Sequence, residues 1–196
     1  MHHFVMNNFN YSPFPYVQFK QFFTHSYASS LLEWFEDCIK WELKTTDFYQ
    51  QYECNFKQHP VPQDIHFFQE EPFLNILRKE MGNMFHATFL PKIDITAHKM
   101  VKGHQIEIHN DFLPDEKCCR LVIYFNKRWQ PNYGGELILF NSYQAHDVHK
   151  MIPPYHNTGI AFQINSLSLH EVKPLLKGPR YSLVYTFYEP STPPIS

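Results

Sequence analysis

The segment QIEIHND, residues 105–111, decides how the rest of this chain is organised. It alternates apolar and polar residues as a β-strand does, and it ends on an imidazole and a carboxylate two positions apart. Strand alternation puts His109 and Asp111 on one face, so both side chains could reach one metal ion. Thirteen histidines among 196 residues make such a triplet unsurprising by chance. The segment therefore has to be read together with the chain around it.

Short alternating runs dominate the chain after Pro91. Turns rich in Gly, Pro and Asn separate them. The runs cover residues 92–101, 105–108, 119–126, 136–140, 158–164, 169–175 and 181–188. Six or more short strands of this kind predict a sandwich or jelly roll rather than a parallel sheet.

The first part of the chain has a helical pattern. Thr24 is the expected N-cap of a helix that runs to about Trp41, because apolar residues recur there at helical spacing. These residues are Leu31, Leu32, Trp34, Phe35, Cys38 and Ile39. A second helix is expected over residues 71–85, with Pro72 in its first turn. Both helices should buttress one outer face of the strands.

The remaining segments before residue 90 are shorter. Residues 16–19 form a candidate strand, residues 47–54 suggest a helical turn or loop, and the prolines of residues 59–62 break any regular element. We expect one domain over residues 1–196, with residues 1–90 as helical support and lid and residues 91–190 as a jelly-roll catalytic core. The sequence does not indicate an oligomeric state.

Composition restricts the partners and the compartment. Seventeen Lys and Arg against nineteen Asp and Glu give a net charge of -2, with no basic stripe, so no nucleic-acid partner is expected. No run of ~18 apolar residues predicts a membrane span. The four cysteines, Cys38, Cys54, Cys118 and Cys119, lack Cys-x-x-Cys spacing, which favours reduced thiols. With no leader pattern at the N-terminus, the expected location is cytoplasmic.

Two residues far along the chain complete a possible site. His170 lies in a strand-like segment, and Arg180 opens the last strand. One carboxylate and two imidazoles form a ligand set that leaves adjacent coordination positions of Fe(II) open. The planar fork of Arg180 is suited to a carboxylate of a dicarboxylate co-substrate.

Five motifs in this order carry a family resemblance. They are HND at 109–111, LVIYFNKRW at 121–129, GGEL at 134–137, HEVKP at 170–174 and RYS at 180–182. As a set they resemble the prolyl-hydroxylase-type branch of the 2-oxoglutarate and Fe(II)-dependent oxygenases. The resemblance covers about residues 92–190, roughly half of the chain.

The resemblance implies a fold, a site and an activity. The fold is a mainly β, cupin-like jelly roll, the double-stranded β-helix, buttressed by N-terminal helices. His109, Asp111 and His170 would be the catalytic iron ligands. Arg180 and Tyr124 would bind the C5 carboxylate of 2-oxoglutarate, and Ser182 would hydrogen-bond beside them. Gly134 and Gly135 would form the tight turn between strands.

The implied reaction is hydroxylation of an unactivated C–H bond of an amino-acid side chain, proline first, free or within a peptide or protein. Fe(II), 2-oxoglutarate and O2 are the implied cofactor and co-substrates. Asp111 favours hydroxylation, because related halogenases carry a small residue at that position. Substrate identity and stereochemistry are not readable from the residues.

Some positions depart from the family pattern. Met100 stands where many relatives have a tyrosine, nine residues before the first ligand histidine. Thr186 stands where some protein prolyl hydroxylases have a tryptophan that faces the substrate. The branch that demethylates nucleic-acid bases typically has a second arginine at this same position, which disfavours that activity.

Several alternatives accompany this interpretation. A non-catalytic, cupin-like protein that binds a metal or a small acid is the rival outside enzymes. Glu107 shares the face of His109 by alternation, so it is a candidate substrate contact, against a solvated strand carboxylate. His146 and His149 could belong to a second metal site, although a solvated loop is favoured because further ligands are lacking.

Overall fold

A computed structural model describes residues 4–7, 9–37, 40–54, 56, 61–114, 116 and 118–190. The helices of these residues are α1 (His25–Asp37) and α2 (Glu71–Phe85), with short 3₁₀ turns at Gln63–Gln69 and Pro131–Tyr133. The strands are β1 (Val5–Met6), β2 (Tyr16–Gln21), β3 (Glu42–Thr45), β4 (Gln50–Cys54), β5 (Ile93–Met100), β6 (Ile106–His109), β7 (Cys118–Tyr124), β8 (Leu137–Phe140), β9 (Val148–Ile152), β10 (Gly159–Ile164), β11 (His170–Val172) and β12 (Arg180–Tyr188).

The strands form two antiparallel sheets. The major sheet has eight strands in the order β1-β2-β10-β7-β12-β5-β4-β3. The minor sheet has four strands in the order β6-β11-β8-β9. Neighbours in each sheet are mostly distant in sequence, as in a jelly roll. The mainly β jelly-roll fold expected from the strand pattern is confirmed.

The helices cover the outer face of the major sheet. Alternation along β7 and β12 turns Leu121, Ile123, Leu183 and Tyr185 outward, where they join the core formed with the helices. The Phe35 ring of α1 lies 5.3 Å from the Phe125 ring. The Tyr185 hydroxyl donates a hydrogen bond of 2.8 Å to the Phe68 carbonyl. The helices therefore support the sheet, as expected.

The bounds of the helices agree closely with the sequence pattern. Thr24 caps α1, because its hydroxyl accepts a hydrogen bond of 3.4 Å from the Tyr27 N–H. Helix α1 ends at Asp37. Cys38 and Ile39 lie outside the described residues, and Lys40 and Trp41 are not helical, so the helix does not reach Trp41 as predicted. Helix α2 has the predicted bounds.

Three strands were not predicted. Residues 50–54, expected as a helical turn or loop, form β4 because the free edge of β5 offers backbone partners at Lys99, His98 and Ala97. Strand β3 pairs with β4 to make a hairpin. Strand β9 lies in a segment expected to be a loop, where it pairs with β8. The break expected at residues 59–60 lies outside the described residues.

The inner face of the major sheet carries a line of polar side chains across four strands. Ser182 of β12 pairs with Tyr124 of β7 on one side and with His98 of β5 on the other. His98 in turn pairs with Glu53 of β4. We call Tyr124, Ser182, His98 and Glu53 the polar row. It crosses the wall of the cavity described below.

No helix in the described ranges is both long enough and apolar enough to cross a membrane.

Asn157 joins the loop before α1 to the start of β10. Its side chain accepts a hydrogen bond of 2.8 Å from the Phe23 N–H and donates one of 2.8 Å to the Phe23 carbonyl. The residue is 2% exposed and has a φ of 60°. Asn tolerates this left-handed conformation better than most residues.

We predict that Asn157→Ala lowers the free energy of unfolding by about 2 to 4 kcal/mol, because two buried backbone groups lose their partner. Urea denaturation measures the change. The matched control is Asn132→Ala at an exposed position, which should shift stability by less than about 0.5 kcal/mol. Equal stability of the two variants would contradict the structural role of Asn157.

Candidate metal and co-substrate site

Three potential ligand side chains converge at the end of the minor sheet. The ligand atoms of His109, Asp111 and His170 all lie within 4.8 Å of one another. Nε2 of His109 lies 3.5 Å from one carboxylate oxygen of Asp111, and Nε2 of His170 lies 3.3 Å from the other. The imidazole ring centroids are 4.2 Å apart. The structure thus brings together the three residues selected from the sequence.

Strand pairing brings the two histidines together. His170 of β11 lies directly opposite His109 of β6. Asp111 follows β6 and has a φ of 55°, so a left-handed turn rather than strand alternation directs its carboxylate toward the histidines. Aspartate is among the residues that adopt this conformation most readily.

A bulge changes the face on which Glu107 lies. His170 pairs with His109 and Val172 pairs with Ile106, so β6 has one more residue than β11 over this span. The extra residue places Ile106, rather than Glu107, on the cavity side together with His109. Glu107 is exposed and lies outside that cavity. The expectation that Glu107 shares the face of His109 is therefore wrong.

Both histidines are oriented by their own backbone. Nδ1 of His109 lies 2.8 Å from the Glu107 carbonyl, and Nδ1 of His170 lies 2.7 Å from the Ser168 carbonyl. Because a carbonyl can only accept, each Nδ1 carries the proton and donates it. Each Nε2 then has a free lone pair directed at the centre of the group, as in many metal sites. Burial lowers the pKa of His170, which favours this neutral form.

Arg120 is a site residue that we did not select from the sequence. Its guanidinium Nη1 donates to the carboxylate of Asp111. Burial alone would raise the pKa of Asp111. The positive charge of the Arg120 guanidinium opposes this effect and holds the carboxyl pKa below its usual range. Asp111 is therefore a permanent anion at the centre of the group.

His109, Asp111 and His170 line a cavity of about 270 Å³ between the two sheets. Its apolar lining comprises Ile106, Val122, Leu137, Phe162, Val172 and Val184. The Phe48 ring lies 5.3 Å from the His109 ring, on the wall formed by the segment before β4. These surfaces form apolar walls beside the candidate ligand atoms.

Arg180 lies in the same cavity and is only 4% exposed. Its Nε donates a hydrogen bond of 2.8 Å to the Gly135 carbonyl, and its Nη1 lies 3.7 Å from the Met100 sulfur. No carboxylate forms an ion pair with it within the described residues. The buried Glu136 carboxylate acts on Arg180 only through its charge, without an ion-pair contact. A buried cation that no carboxylate contacts is costly, so this position favours an incoming anion.

Gly135 allows the close approach of this arginine. It has a φ of 77°, and a side-chain Cβ there would lie 3.0 Å from the Arg180 Cδ. A larger residue would push the guanidinium away from the Gly135 carbonyl. The tight-turn role expected for the Gly134 and Gly135 pair fits this geometry.

Tyr124 and Ser182 flank Arg180. The Arg180 guanidinium carbon lies 5.1 Å from the centre of the Tyr124 ring. The Tyr124 hydroxyl is buried and, among the described residues, has no hydrogen-bond partner. Burial raises its pKa, although the Arg180 charge acts in the opposite direction, so the hydroxyl keeps its proton and can donate. Ser182 is 1% exposed and also lines the cavity.

Two cavity residues had a signal in the sequence that we did not use. Arg120 and His98 are polar residues inside strands, and each has an apolar residue two positions away on the same face, Val122 and Met100 respectively. Such a position in a strand that faces a core often marks a site. Arg120 of β7 pairs with Thr186 of β12. Thr186 occupies the position where the branch that demethylates nucleic-acid bases typically has a second arginine. In this chain a guanidinium therefore lies beside that position, on the neighbouring strand.

The other histidines considered from the sequence do not form a second metal group. Nε2 of His149 lies 3.1 Å from the Tyr16 hydroxyl, and Asp147 accepts hydrogen bonds from Asn141 and Ser142. In the described part of the chain, His109, Asp111 and His170 are the one group of three such ligands found.

Comparisons with known proteins agree with this site. The family model of the 2OG-Fe(II) oxygenase superfamily matches residues 95–188, which include all three ligand candidates and Arg180. Mouse prolyl 3-hydroxylase OGFOD1 is 26% identical over 163 residues, which cover 76% of this chain. The chain spans 29% of the length of that relative.

Solved structures share the fold. A Pseudomonas putida prolyl-4-hydroxylase superposes with a TM-score of 0.73 at 18% identity, covering 90% of this chain and 93% of its own. A Trichoplax adhaerens prolyl hydroxylase, in complex with a peptide fragment of the hypoxia inducible factor oxygen degradation domain, gives a TM-score of 0.73 at 14% identity. It covers 89% of this chain and 83% of its own. The ordered motifs, the jelly roll and the family match agree with one another: residues 95–188 match the 2OG-Fe(II) oxygenase superfamily, and the similar proteins named above are prolyl hydroxylases.

Proposed function

We propose that this protein is a 2-oxoglutarate and Fe(II)-dependent dioxygenase that hydroxylates a prolyl residue of a peptide or protein. One observation carries the proposal: a His-Asp-His group and a buried arginine without a carboxylate partner line the same cavity. The first fits a metal, and the second fits the far end of a dicarboxylate that also reaches that metal.

The residues present fit Fe(II). His109 and His170 present neutral Nε2 atoms, and Asp111 presents a carboxylate oxygen. This donor set leaves coordination positions free for a co-substrate and O2. Bound iron would supply the oxidising chemistry at the C–H bond. Arg120 holds Asp111 in its charged form and fixes its orientation.

The cavity also fits 2-oxoglutarate. The Arg180 fork and the Tyr124 hydroxyl both lack a carboxylate, and each can donate to one. Ser182, which pairs with Tyr124 in the strand register, adds a third donor. Arg180 is 4% exposed, and a charge-assisted hydrogen bond is stronger in such a buried position.

A proline substrate is supported by the relatives. The similar proteins carry the names prolyl 3-hydroxylase, prolyl-4-hydroxylase and prolyl hydroxylase, one of them bound to a peptide fragment. The non-catalytic alternative is not favoured, because a binding protein needs no open metal positions beside a carboxylate anchor.

We further propose the organisation of the chain and its location. Residues 1–196 would form one oxygenase domain, in which residues 1–90 support and cover the core of residues 91–190. The packing of α1 and α2 on the major sheet and the Phe48 wall support this division. The free, buried thiols of Cys118 and Cys119 support a reducing, cytoplasmic location.

We predict that His109→Ala reduces 2-oxoglutarate-dependent succinate formation by roughly 100-fold or more, because a direct metal ligand is lost. The assay contains Fe(II), O2 and a proline-containing peptide. His66→Ala, which lies outside the cavity, is the matched control and should retain full activity. Undiminished turnover in His109→Ala would contradict the assigned metal centre.

Arg180→Lys should raise the 2-oxoglutarate concentration that gives half-maximal succinate formation by about 10-fold to 100-fold. Lysine keeps the charge but lacks the planar fork that binds a carboxylate through two hydrogen bonds. Arg78→Lys on α2 is the matched control. If both variants need the same 2-oxoglutarate concentration, Arg180 does not bind the co-substrate.

The substrate proposal has its own test. Peptides that contain proline should gain the mass of one oxygen, and otherwise identical peptides with alanine in place of proline should not. Tandem mass spectrometry assigns the oxidised residue. Oxygen gain on a different side chain, with proline peptides untouched, would overturn the proline assignment and leave the oxygenase assignment intact.

A further inference from the structure

We infer that His98 is an additional co-substrate-binding residue, whose imidazole N–H donates a hydrogen bond to the dicarboxylate held by Arg180. This inference rests on the proposed function. His98 is outside the motifs recognised in the sequence, and it is not a candidate metal ligand.

The strand register places His98 beside the arginine. In the polar row, His98 and Tyr124 lie on opposite sides of Ser182. Adjacent strands are about 4.8 Å apart, so each of the two flanks Ser182 at about that spacing. Arg180 lies two residues before Ser182 and therefore on the same face. A carboxylate at Arg180 thus has Tyr124 on one side and His98 on the other.

His98 is the residue of β5 that can donate a hydrogen bond near Arg180. The residue of β5 directly opposite Arg180 in the strand register is Met100. The Met100 sulfur accepts a weak contact from Arg180 at 3.7 Å, and a thioether cannot donate to a carboxylate. His98 is the cavity-lining residue of β5 closest to Arg180 that has a donor.

The His98 side chain is able to donate a hydrogen bond to a ligand in the cavity. It makes no hydrogen bond with any other residue in the described ranges, although it lines the cavity. Burial, followed by the charges of Arg120 and Arg180, lowers its pKa to about 3. At neutral pH the ring is therefore uncharged and has one N–H to donate.

The test measures co-substrate binding without turnover. The full chain is loaded with Mn(II) under anaerobic conditions, and 2-oxoglutarate is titrated by calorimetry. We expect His98→Ala to weaken binding about tenfold or more, because a hydrogen bond to a charged group is lost. His98→Gln, whose amide N–H can donate, should recover a large part of that affinity. His149→Ala is the matched control, because His149 bonds Tyr16 outside the cavity.

Each outcome decides the inference. Weak binding in His98→Ala with recovery in His98→Gln supports it. Wild-type affinity of His98→Ala for 2-oxoglutarate overturns it. If the variant keeps that affinity and only its KM for the peptide changes, His98 contacts the peptide instead, and the inference is likewise overturned. Equal losses in both variants also overturn it, because they indicate a packing role. Failure of the wild-type chain to bind 2-oxoglutarate would instead refute the proposed function.

Discussion

The pairing of β11 between β6 and β8 is the constraint on which the site depends. It places His170 opposite His109, although 60 residues of chain separate them in the sequence. A shift of one residue in this register would turn one imidazole away from the other. Backbone hydrogen bonds from the same rings to Glu107 and Ser168 then direct both Nε2 atoms inward. The metal-binding geometry is thus built into the sheet before any metal arrives.

The cavity contains two arginines whose environments differ. Arg120 has a counter-ion in Asp111, so its charge is used to fix a ligand carboxylate. Arg180 is more deeply buried and contacts a carbonyl, a thioether and an aromatic ring instead. Burying such a cation costs several kcal/mol unless an anion joins it. We propose that the co-substrate is this anion, with the polar row around it.

Helices and strands were predictable to different degrees. The bounds of helix α2 could be predicted because Pro72 in its first turn and its apolar spacing are local features. The segment of strand β4 was predicted as a helical turn or loop. Its short, mostly polar sequence forms a strand because the edge of β5 offers backbone partners. Strand β9 was missed for the same reason. Strand formation depends on partners that are distant in sequence, so local patterns predict it less well.

The sequence by itself determined the identity and order of the residues that converge: His109, Asp111, His170 and Arg180. Only the tertiary structure decided which other side chains reach them. One extra residue in β6 turns Glu107 outward, which alternation alone could not indicate. The pairing of β12 with β5 and β7 brings His98 and Arg120 into the cavity. Faces of a strand are set by register between strands, and register is a property of the folded sheet.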